Sequence, residues 1–337
     1  MTIVIVFVVV FAVLHELFGL TDSLEKLYYK GELDKVLVEP GEEITLCHSV
    51  VNQSWFPVLY VNLMAALHEE AECLEKGTYS KYRMYMPGYR KWKAKVRFAL
   101  KKRGCYHFGH YYIEAGDIFG LRSKVRSGDE NHEVVVMPDK TDAVAVWKAY
   151  SGFIGDISVQ RFILEDPVLT IGFREYTGHE PMKSISFTQT AKMGKTYVKC
   201  YDYTTEMKVT VLLNMYSGTD EELEHCLEIV RTVCEDLEAR HIPYAFASNG
   251  DIAEYMAPGL GSAHYNRLMK QMGKSNLTGF YSLETLLEKC ETNRHRGRGF
   301  ILVTPPLDEK SLETVRKYNQ KLDFPMCILT GGEKECV

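Results

Sequence analysis

Between Gly172 and Lys192 the chain reads GFREYTGHEPMKSISFTQTAK, and after a short gap the apolar run VTVLL occupies Val209–Leu213. A continuous apolar run is expected of a strand that is covered on both faces, as in a parallel sheet. Thr219 and Glu222 then form a capping-box pattern, and strand and helix patterns alternate to the end of the chain. Further strands are predicted at Tyr244–Ala247, Phe300–Val303 and Met326–Leu329, and helices at about Leu283–Cys290 and Glu309–Lys321. This alternation predicts a doubly wound, mainly parallel sheet over residues 166–332.

The first half of the chain has the pattern of short strands separated by turns. Residues 38–63 combine apolar and small polar side chains around the turn signal Pro40-Gly41. A clearer strand follows, in which Trp92, Ala94, Val96 and Phe98 alternate with Lys91, Lys93, Lys95 and Arg97. A helix is expected only around Met64–Leu74. We therefore predict a small β-sandwich over residues 36–138, followed by a linker near residues 139–165.

The segment Gly172–Lys192 resembles the signature of a bacterial membrane-associated family, domain-of-unknown-function (DUF) family 58. That signature reads R-x-Y-x-x-G-D-x-x-R-x-I-x-W-x-x-x-A-R and precedes the first core strand of a von Willebrand factor A-like domain. The residues in register are Arg174, Tyr176, Gly178, Ile185 and Ala191, with Lys183, Phe187 and Lys192 as like-for-like replacements. His179 stands where the family has Asp, so any role of that acid is lost here.

Two shorter elements are similar to the same family. Arg103, Gly104 and Tyr106 match an R-G-x-Y element, and Asp117–Leu121 resembles a D-P-F-G-L turn. The resemblance implies a von Willebrand factor A-like second domain. It also implies partnership with MoxR-type AAA+ ATPases in the assembly or maturation of envelope or secreted complexes.

The signature residues themselves have two interpretations. Their polar groups can satisfy one another where a loop folds over the sheet, with Phe187 filling the core, because a loop is costly to order when its polar groups are unpaired. Alternatively, they contact a protein partner. The residues concerned are Arg174, Tyr176, Gly178, Lys183, Phe187 and Lys192.

Ligands of open α/β sheets bind at the carboxyl ends of the strands, which directs attention to the loop after Leu213. Von Willebrand factor A-like domains with a metal site carry D-x-S-x-S there, since a hard divalent cation prefers carboxylate and hydroxyl oxygens. This chain has Asn214 in place of the acid and Tyr216, Ser217 and Gly218 after it. We expect a degraded site that binds no metal.

The N-terminus carries a long apolar segment. Residues Ile3–Leu14 are almost wholly β-branched or aromatic, and the apolar character continues past His15 and Glu16 to Leu20. The nineteen residues 2–20 would reach roughly 28 Å as a helix, about one bilayer core. We predict a transmembrane anchor over residues 2–20. A cleaved signal peptide is the alternative, but it would require a basic region and a cleavage site that the segment lacks.

Lys26, Lys30 and Lys35 follow the apolar segment, so the positive-inside rule predicts a single-pass plasma-membrane protein with its bulk in the cytoplasm. The basic face of the sandwich would then meet anionic lipid, which attracts each cation by about 1 kcal/mol. An ordinary solvated strand face is the alternative. The residues of this basic face are Lys91, Lys93, Lys95 and Arg97.

Composition excludes several classes of protein. The chain has 337 residues, of which 46% are apolar and 25% charged, enough for two globular domains. A formal net charge of -5 argues against nucleic acid as a partner. Nine cysteines without any C-x-x-C pair indicate reduced thiols, as in the cytosol.

Two motifs resemble ligand-binding sequences, but we interpret both as ordinary turns. Gly194-Lys195-Thr196 ends like a phosphate-binding loop, but Gln189 stands where that motif needs glycine, so we expect a turn. The basic run Arg294–Gly299 is short and lacks aromatic residues, which favours a solvated turn over a nucleic-acid contact.

The cysteines and histidines suggest a zinc site and a nucleophilic thiol, and we predict neither. Cys105, His107 and His110 are candidate zinc ligands, but a period of two puts His110 on the other face of a strand and no fourth ligand is identified. Cys226 and Cys234 lie on one helical stripe, where burial makes a thiol inert.

The sequence therefore predicts a membrane-anchored, non-enzymatic protein-interaction or scaffold module without cofactor, nucleic-acid partner or small-molecule substrate. The alternative function is a metal-dependent adhesion module or a metal-assisted hydrolase that uses the sheet edge near Asn214. That alternative lacks a His and Asp arrangement beside the loop. A secreted, β-rich adhesin is a third possibility, and it would require cleavage after the N-terminal segment.

Overall fold

The computed structural model describes residues 1–14, 25–73, 79–116, 123–142, 144–161, 170–178, 180–201, 208–292, 298–322 and 326–331. The chain forms two structural units. One consists of Met1–Asp139 with Met269–Lys274, and the other of Lys140–Leu268 with Ser275–Val337.

The first unit contains mostly strands, as its alternating sequence predicts. Along Lys91–Ala99 the basic side chains are exposed while Val96 and Phe98 are buried, so this strand presents one face to solvent and one to the core. The described elements are α1 Thr2–Leu14, β1 Leu27–Leu33, β2 Leu37–Val38, β3 Glu43–Asn52, β4 Val58–Ala66, β5 Glu72–Cys73, β6 Tyr79–Met86, β7 Lys91–Ala99, β8 Gly104–Gly116 and β9 Ser123–Val136.

The described strands of the first unit form two sheets. One has the order β1-β3-β7-β5 and the other β2-β9-β8-β4-β6, with antiparallel neighbours apart from the parallel pair β2 and β9. Val96 and Phe98 of the first sheet pack with Phe108, Val134 and Val136 of the second. The core of this unit therefore lies between the two sheets, as in a sandwich.

A histidine lies fully buried in this sandwich. The Nδ1 atom of His48 is 2.8 Å from the Tyr29 hydroxyl, and its Nε2 atom is 3.1 Å from the Ser80 hydroxyl. A neutral imidazole can satisfy both contacts, with one nitrogen accepting and the other donating. Burial lowers the pKa of His48 from 6.5 to about 4, because the charged ring would lose its hydration.

The second unit alternates strands and helices. Its described elements are α2 Val144–Arg161, β10 Thr170–Glu175, a 3₁₀ turn Met182–Ser184, α3 Phe187–Met193, β11 Tyr197–Tyr201, β12 Lys208–Leu213, α4 Asp220–Ala239, β13 Tyr244–Ser248, β14 Met256–Gly259, α5 Ser262–Lys274, α6 Leu283–Thr292, β15 Arg298–Thr304, α7 Glu309–Asn319 and β16 Cys327–Thr330. The last residues of α5, Met269–Lys274, belong to the first unit.

The main described sheet of this unit has the order β14-β13-β12-β15-β16. β12 pairs in parallel with both β13 and β15, β15 pairs in parallel with β16, and only β14 is antiparallel within these described strands. Leu212 and Leu302 pack against Leu286 of α6 and Val315 of α7. Alternate residues of these strands point the other way, and α4 contacts β12 and β15. The parallel pairing predicted from the run Val209–Leu213 is confirmed.

Helix α4 begins where the capping box predicts. The Thr219 side chain accepts a hydrogen bond from the Glu222 backbone N–H, and the Glu222 carboxylate accepts one from the Thr219 N–H. The predicted apolar stripe is buried, and it comprises Leu223, Leu227, Val230, Cys234 and Leu237. The stripe therefore attaches this helix to the sheet.

The predicted transmembrane anchor is wrong. No helix among the described residues is long and apolar enough to cross a bilayer. Helix α1 has 13 residues, or about 20 Å at the helical rise, which is shorter than the roughly 30 Å of a bilayer core. The prediction had extended the helix to Leu20, and residues 15–20 lie outside the described residues. The single-pass plasma-membrane location depended on this anchor and falls with it, as does the membrane helix in the predicted fold class.

Two further local expectations differ from the structure. Met64–Ala66, predicted to begin a helix, lies in β4. Leu63 and Ala65 are buried there, and this part of β4 pairs with β8. The predicted linker contains α2, whose Tyr150 is buried and donates a hydrogen bond of 2.7 Å to Asp236. Tertiary packing overrides weak local patterns at both places. The predicted turn Asp117–Leu121 lies outside the described residues.

We expect His48 to make the stability of the chain depend on pH. Its pKa is lower in the folded protein, so the unfolded chain binds the proton more tightly and stability is lost as pH falls below about 6.5. Between about pH 7.5 and pH 5 this group alone should lower the free energy of unfolding by about 2 kcal/mol. Urea unfolding at both pH values should show a smaller pH dependence in His48→Gln than in the parent protein. An unchanged pH dependence in the variant would contradict this assignment.

Candidate functional site

The carboxyl end of β12 carries the first candidate site. Asn214 is only 2% exposed, and its Oδ1 atom accepts hydrogen bonds from Asn249 Nδ2 at 2.7 Å and from the Tyr216 backbone N–H at 3.2 Å. Its Nδ2 atom donates to the Thr304 hydroxyl at 2.9 Å. The Asn214 side chain is thus engaged through both of its polar atoms.

The partners of Asn214 are themselves engaged. Asn249 Oδ1 accepts from the Met215 N–H at 2.7 Å, and Asn249 Nδ2 also donates to the Tyr281 carbonyl at 2.9 Å. The Thr304 hydroxyl donates to the Pro305 carbonyl at 3.0 Å. Together the side chains of Asn214, Asn249 and Thr304 form a buried, uncharged network, which we call the amide network. It joins the ends of β12, β13 and β15.

The other predicted metal-site positions follow Asn214 directly along the chain. Tyr216 and Ser217 are exposed, and Ser217 has a left-handed φ of 69°. Gly218 is needed for packing, since a Cβ there would lie 3.0 Å from Leu223 and from Pro305. These residues form the loop between β12 and α4, and both Tyr216 and Ser217 carry a side-chain hydroxyl.

A cavity of about 390 Å³ opens beside this turn. It is lined by Asn214, Tyr216 and Ser217 and by the first residues of α6 and α7. The nearest acid on the β15 side, Asp308, caps α7 by accepting the Ser311 N–H at 3.0 Å. The Ser311 side chain, and then its backbone N–H, hold the pKa of Asp308 below its usual range by hydrogen bonding to the carboxylate. Asp308 therefore serves the helix end.

The signature segment forms the second candidate site, which we call the signature hairpin, residues 170–201. β10 pairs antiparallel with β11, with Arg174 opposite Val198, and Ile185 bridges to the same Val198. The Arg174 guanidinium lies 2.6 Å from Glu180, and the Thr177 hydroxyl donates to that carboxylate at 2.7 Å. The Thr177 hydroxyl, aided by Arg174, lowers the pKa of Glu180 to about 2. The loop is thus ordered by its own polar groups, as the support interpretation predicts for Arg174.

The apolar side chains of the signature hairpin lie on its surface. Met182 is 78% exposed, Phe187 77% and Met193 64%, and Phe173 and Tyr176 are also exposed. The expectation that Phe187 fills the core is wrong. That expectation was based on the large aromatic residue at position 187. In the structure, α3 presents this position to solvent.

The remaining signature residues surround this apolar surface. Lys183 and Lys192 are exposed, and Lys183 ends the 3₁₀ turn that precedes Ile185. Gly178 adopts a φ of 96°, which favours glycine. His179 lies outside the described residues. The structure therefore brings Arg174, Tyr176 and Gly178 together at one turn and leaves the lysines around it.

The basic face of β7 is exposed along its length, from Lys91 to Arg97. It is partly neutralised, because Arg97 lies 3.3 Å from Glu43 on the neighbouring strand. The expected contact with lipid assumed that a membrane helix tethers this unit, and that helix is overturned.

The turn predicted at Gly194–Thr196 is confirmed. Gly194 ends α3 with a φ of 71°, and Lys195 pairs with Glu175 at 2.9 Å. Cys226 and Cys234 are fully buried, and burial raises the pKa of the Cys226 thiol to about 12 and that of Cys234 further. Arg294–Gly297 lies outside the described residues.

Sequence reasoning missed one residue of a possible metal cluster. Cys105 and His107 lie beside Glu133, and their ligand atoms are all within 4.8 Å of one another. His110, the third residue suggested by sequence, instead lies 2.8 Å from the Tyr112 hydroxyl. Glu133 is on β9, and only the register of β8 with β9 reveals it.

Comparison with known proteins identifies no relative. No family model matches the chain, and no curated protein matches it. One similar solved structure is native alpha-2-macroglobulin from Escherichia coli, from domain MG7 to the C-terminus, at 14% identity and a TM-score of 0.28. Another is the CARDB domain of a Pyrococcus furiosus protein in complex with di-metal ions, at 14% identity and a TM-score of 0.21.

These similarities are partial. The first covers 34% of this chain and 17% of the macroglobulin chain, and the second covers 33% of this chain and 90% of the CARDB chain. The chain thus spans about a sixth of the macroglobulin fragment that it resembles. Neither similarity assigns a function.

We expect Asn214→Asp to destabilise the second unit. The variant places a carboxylate where Asn214 donates to Thr304, a hydroxyl whose own proton is used by Pro305. A buried donor replaced by an unpaired acceptor should cost about 2–3 kcal/mol. The fold would favour the protonated acid, so the loss should be absent below about pH 4 and should grow as pH rises. Thermal and urea unfolding across this pH range measure it.

The matched control is Ser217→Asp, at the exposed neighbouring position where a left-handed φ suits Asp. It should change the stability by less than about 0.5 kcal/mol. Addition of Mg²⁺ should not restore the stability of Asn214→Asp. Restoration by submillimolar Mg²⁺ would indicate a functional cation site at this sheet edge.

Proposed function

We propose that this chain is a non-enzymatic protein-interaction module that binds a MoxR-type AAA+ ATPase and acts in the assembly of multi-protein complexes. The signature hairpin is the contact surface. The resemblance of Gly172–Lys192 to DUF family 58 supports the class of partner, and the surface of the hairpin supports an interaction.

One observation carries the proposal. Met182, Phe187 and Met193 expose large apolar side chains within a short segment whose backbone is held by its own hydrogen bonds. Single exposed apolar residues are common, but a group of them on an ordered hairpin is typical of a protein-binding surface. Methionine and phenylalanine are also residue types enriched in the buried centre of interfaces.

The order within the hairpin favours binding. Ser186 donates its backbone N–H to Tyr197 at 2.8 Å, and the Tyr197 N–H is accepted by the Thr190 hydroxyl at 3.0 Å. Together with the Arg174–Glu180 pair, these bonds fix α3 against β11 before any partner arrives. A pre-ordered surface loses less conformational entropy on association.

The charge around this surface defines the partner chemistry. Lys183, Lys192 and Lys199 are exposed on the same segment. A complementary partner surface would combine an apolar groove with acidic residues at its rim, which raises the rate of association and disfavours basic partners.

The amide network is the reason that we prefer binding to chemistry at the sheet edge. Its three side chains are uncharged and hydrogen-bonded to one another. A nucleophile or a hydrolytic metal site there would require a general base or an anionic ligand, and Asp308 is used as a helix cap.

We expect the double variant Met182→Ser and Phe187→Ser to lose the partner while it keeps its fold. Both side chains are exposed, so the free energy of unfolding should change by less than about 0.5 kcal/mol. Loss of two central apolar contacts should weaken binding by at least about 30-fold. Affinity capture with the tagged full chain, with and without ATP, followed by binding of the purified AAA+ ATPase, measures the effect.

The matched control is Phe280→Ser, since Phe280 is 66% exposed in the same unit but outside the hairpin. This control should bind the ATPase as the parent does. The proposal fails if no AAA+ ATPase is captured, or if the double variant and the control bind it equally well.

A further inference from the structure

A group of three potential metal ligands lies on one face of the ladder between β8 and β9. His107 is directly opposite Glu133, and Cys105 is two residues before His107 on β8. Side chains two apart on a strand share a face, and directly opposed residues are neighbours across it. The register therefore forces these three side chains together, and their ligand atoms all lie within 4.8 Å of one another.

The three groups match one class of cation. A thiolate, an imidazole and a carboxylate together are the donors that bind Zn²⁺ and similar borderline ions. Zinc bonds of about 2.0–2.3 Å separate neighbouring ligand atoms by roughly 3.3–3.6 Å in a tetrahedron. Rotation of exposed or half-buried side chains is enough to bring atoms within 4.8 Å to that spacing.

We propose that Cys105, His107 and Glu133 form a binding site for a divalent cation of the zinc class, with a fourth coordination position open to water. Three protein ligands and one open position distinguish this site from closed structural zinc sites, which use four protein ligands. The site is independent of the protein-binding function proposed above.

Glu133 supplies the anionic ligand and has competing partners. The ammonium group of Lys274 lies 2.7 Å from its Oε1 and 2.8 Å from its Oε2, and that of Lys270 lies 3.4 Å from Oε1. Both lysines belong to the segment Met269–Lys274 of the same structural unit. Both ammonium groups therefore pair with the Glu133 carboxylate. A cation must displace Lys274, whose side chain is partly exposed and can move into water.

His110 is excluded from the site and becomes its internal control. The β8 ladder has an irregularity between Phe108 and His110, after which His110 faces Asp129. Its Nε2 atom lies 2.8 Å from the Tyr112 hydroxyl. Cys47, on β3 of the same unit, is half-buried like Cys105 but lies outside the cluster.

Co²⁺ titration of the full chain under reducing conditions tests the proposal. Binding to a thiolate should produce a charge-transfer absorption band in the near ultraviolet, and tetrahedral geometry should produce strong visible bands that Zn²⁺ then abolishes. Cys105→Ser should remove the charge-transfer band. His107→Gln should weaken the binding of Co²⁺ by more than about 100-fold. A residue that only positions a ligand, without binding the metal itself, would cost less than this.

Two control variants and one variant that removes a competing lysine complete the test. His110→Gln and Cys47→Ser should retain the spectrum of the parent protein. Lys274→Met should bind Co²⁺ about two- to fivefold more tightly, because the ion pair that competes for Glu133 is gone. The absence of a thiolate band in the parent protein, or the same band in Cys105→Ser, would overturn the assignment.

Discussion

The second unit depends on the burial of one strand between two others. From Val209 to Leu213 every side chain of β12 is buried, and the backbone pairs on both sides with β13 and β15. Buried N–H and C=O groups cannot turn to water, so the ladders must satisfy them along the whole strand. Where the strands end, the amide network takes over this task and closes the edge of the sheet.

This constraint accounts for the chemistry of the sheet edge. An asparagine at 214 can accept two hydrogen bonds and donate a third without placing charge in a buried position. An aspartate there would need a cation to offset its desolvation. Asn214 satisfies this buried position with neutral hydrogen bonds. The large apolar side chains of the signature hairpin are exposed, in contrast to this buried edge.

The sequence predicts those features that depend on neighbouring residues. The apolar run of β12, the capping box of α4 and the alternating face of β7 follow from periods of two and 3.6 residues, and each lies where it was expected. The exposure of Phe187 was not predicted, since the residue type at a motif position does not state which way a short helix turns the side chain.

Glu133 shows most directly what sequence patterns cannot predict. Twenty-six residues separate it from His107, and a shift of the β8–β9 register by one residue would carry it to the opposite face. No local pattern encodes that register, because it is set by the packing of Phe108 and Val134 in the sandwich core. The cluster with Cys105 and the signature hairpin therefore arise from different causes, one from long-range pairing and one from local hydrogen bonds. They belong to units with separate cores.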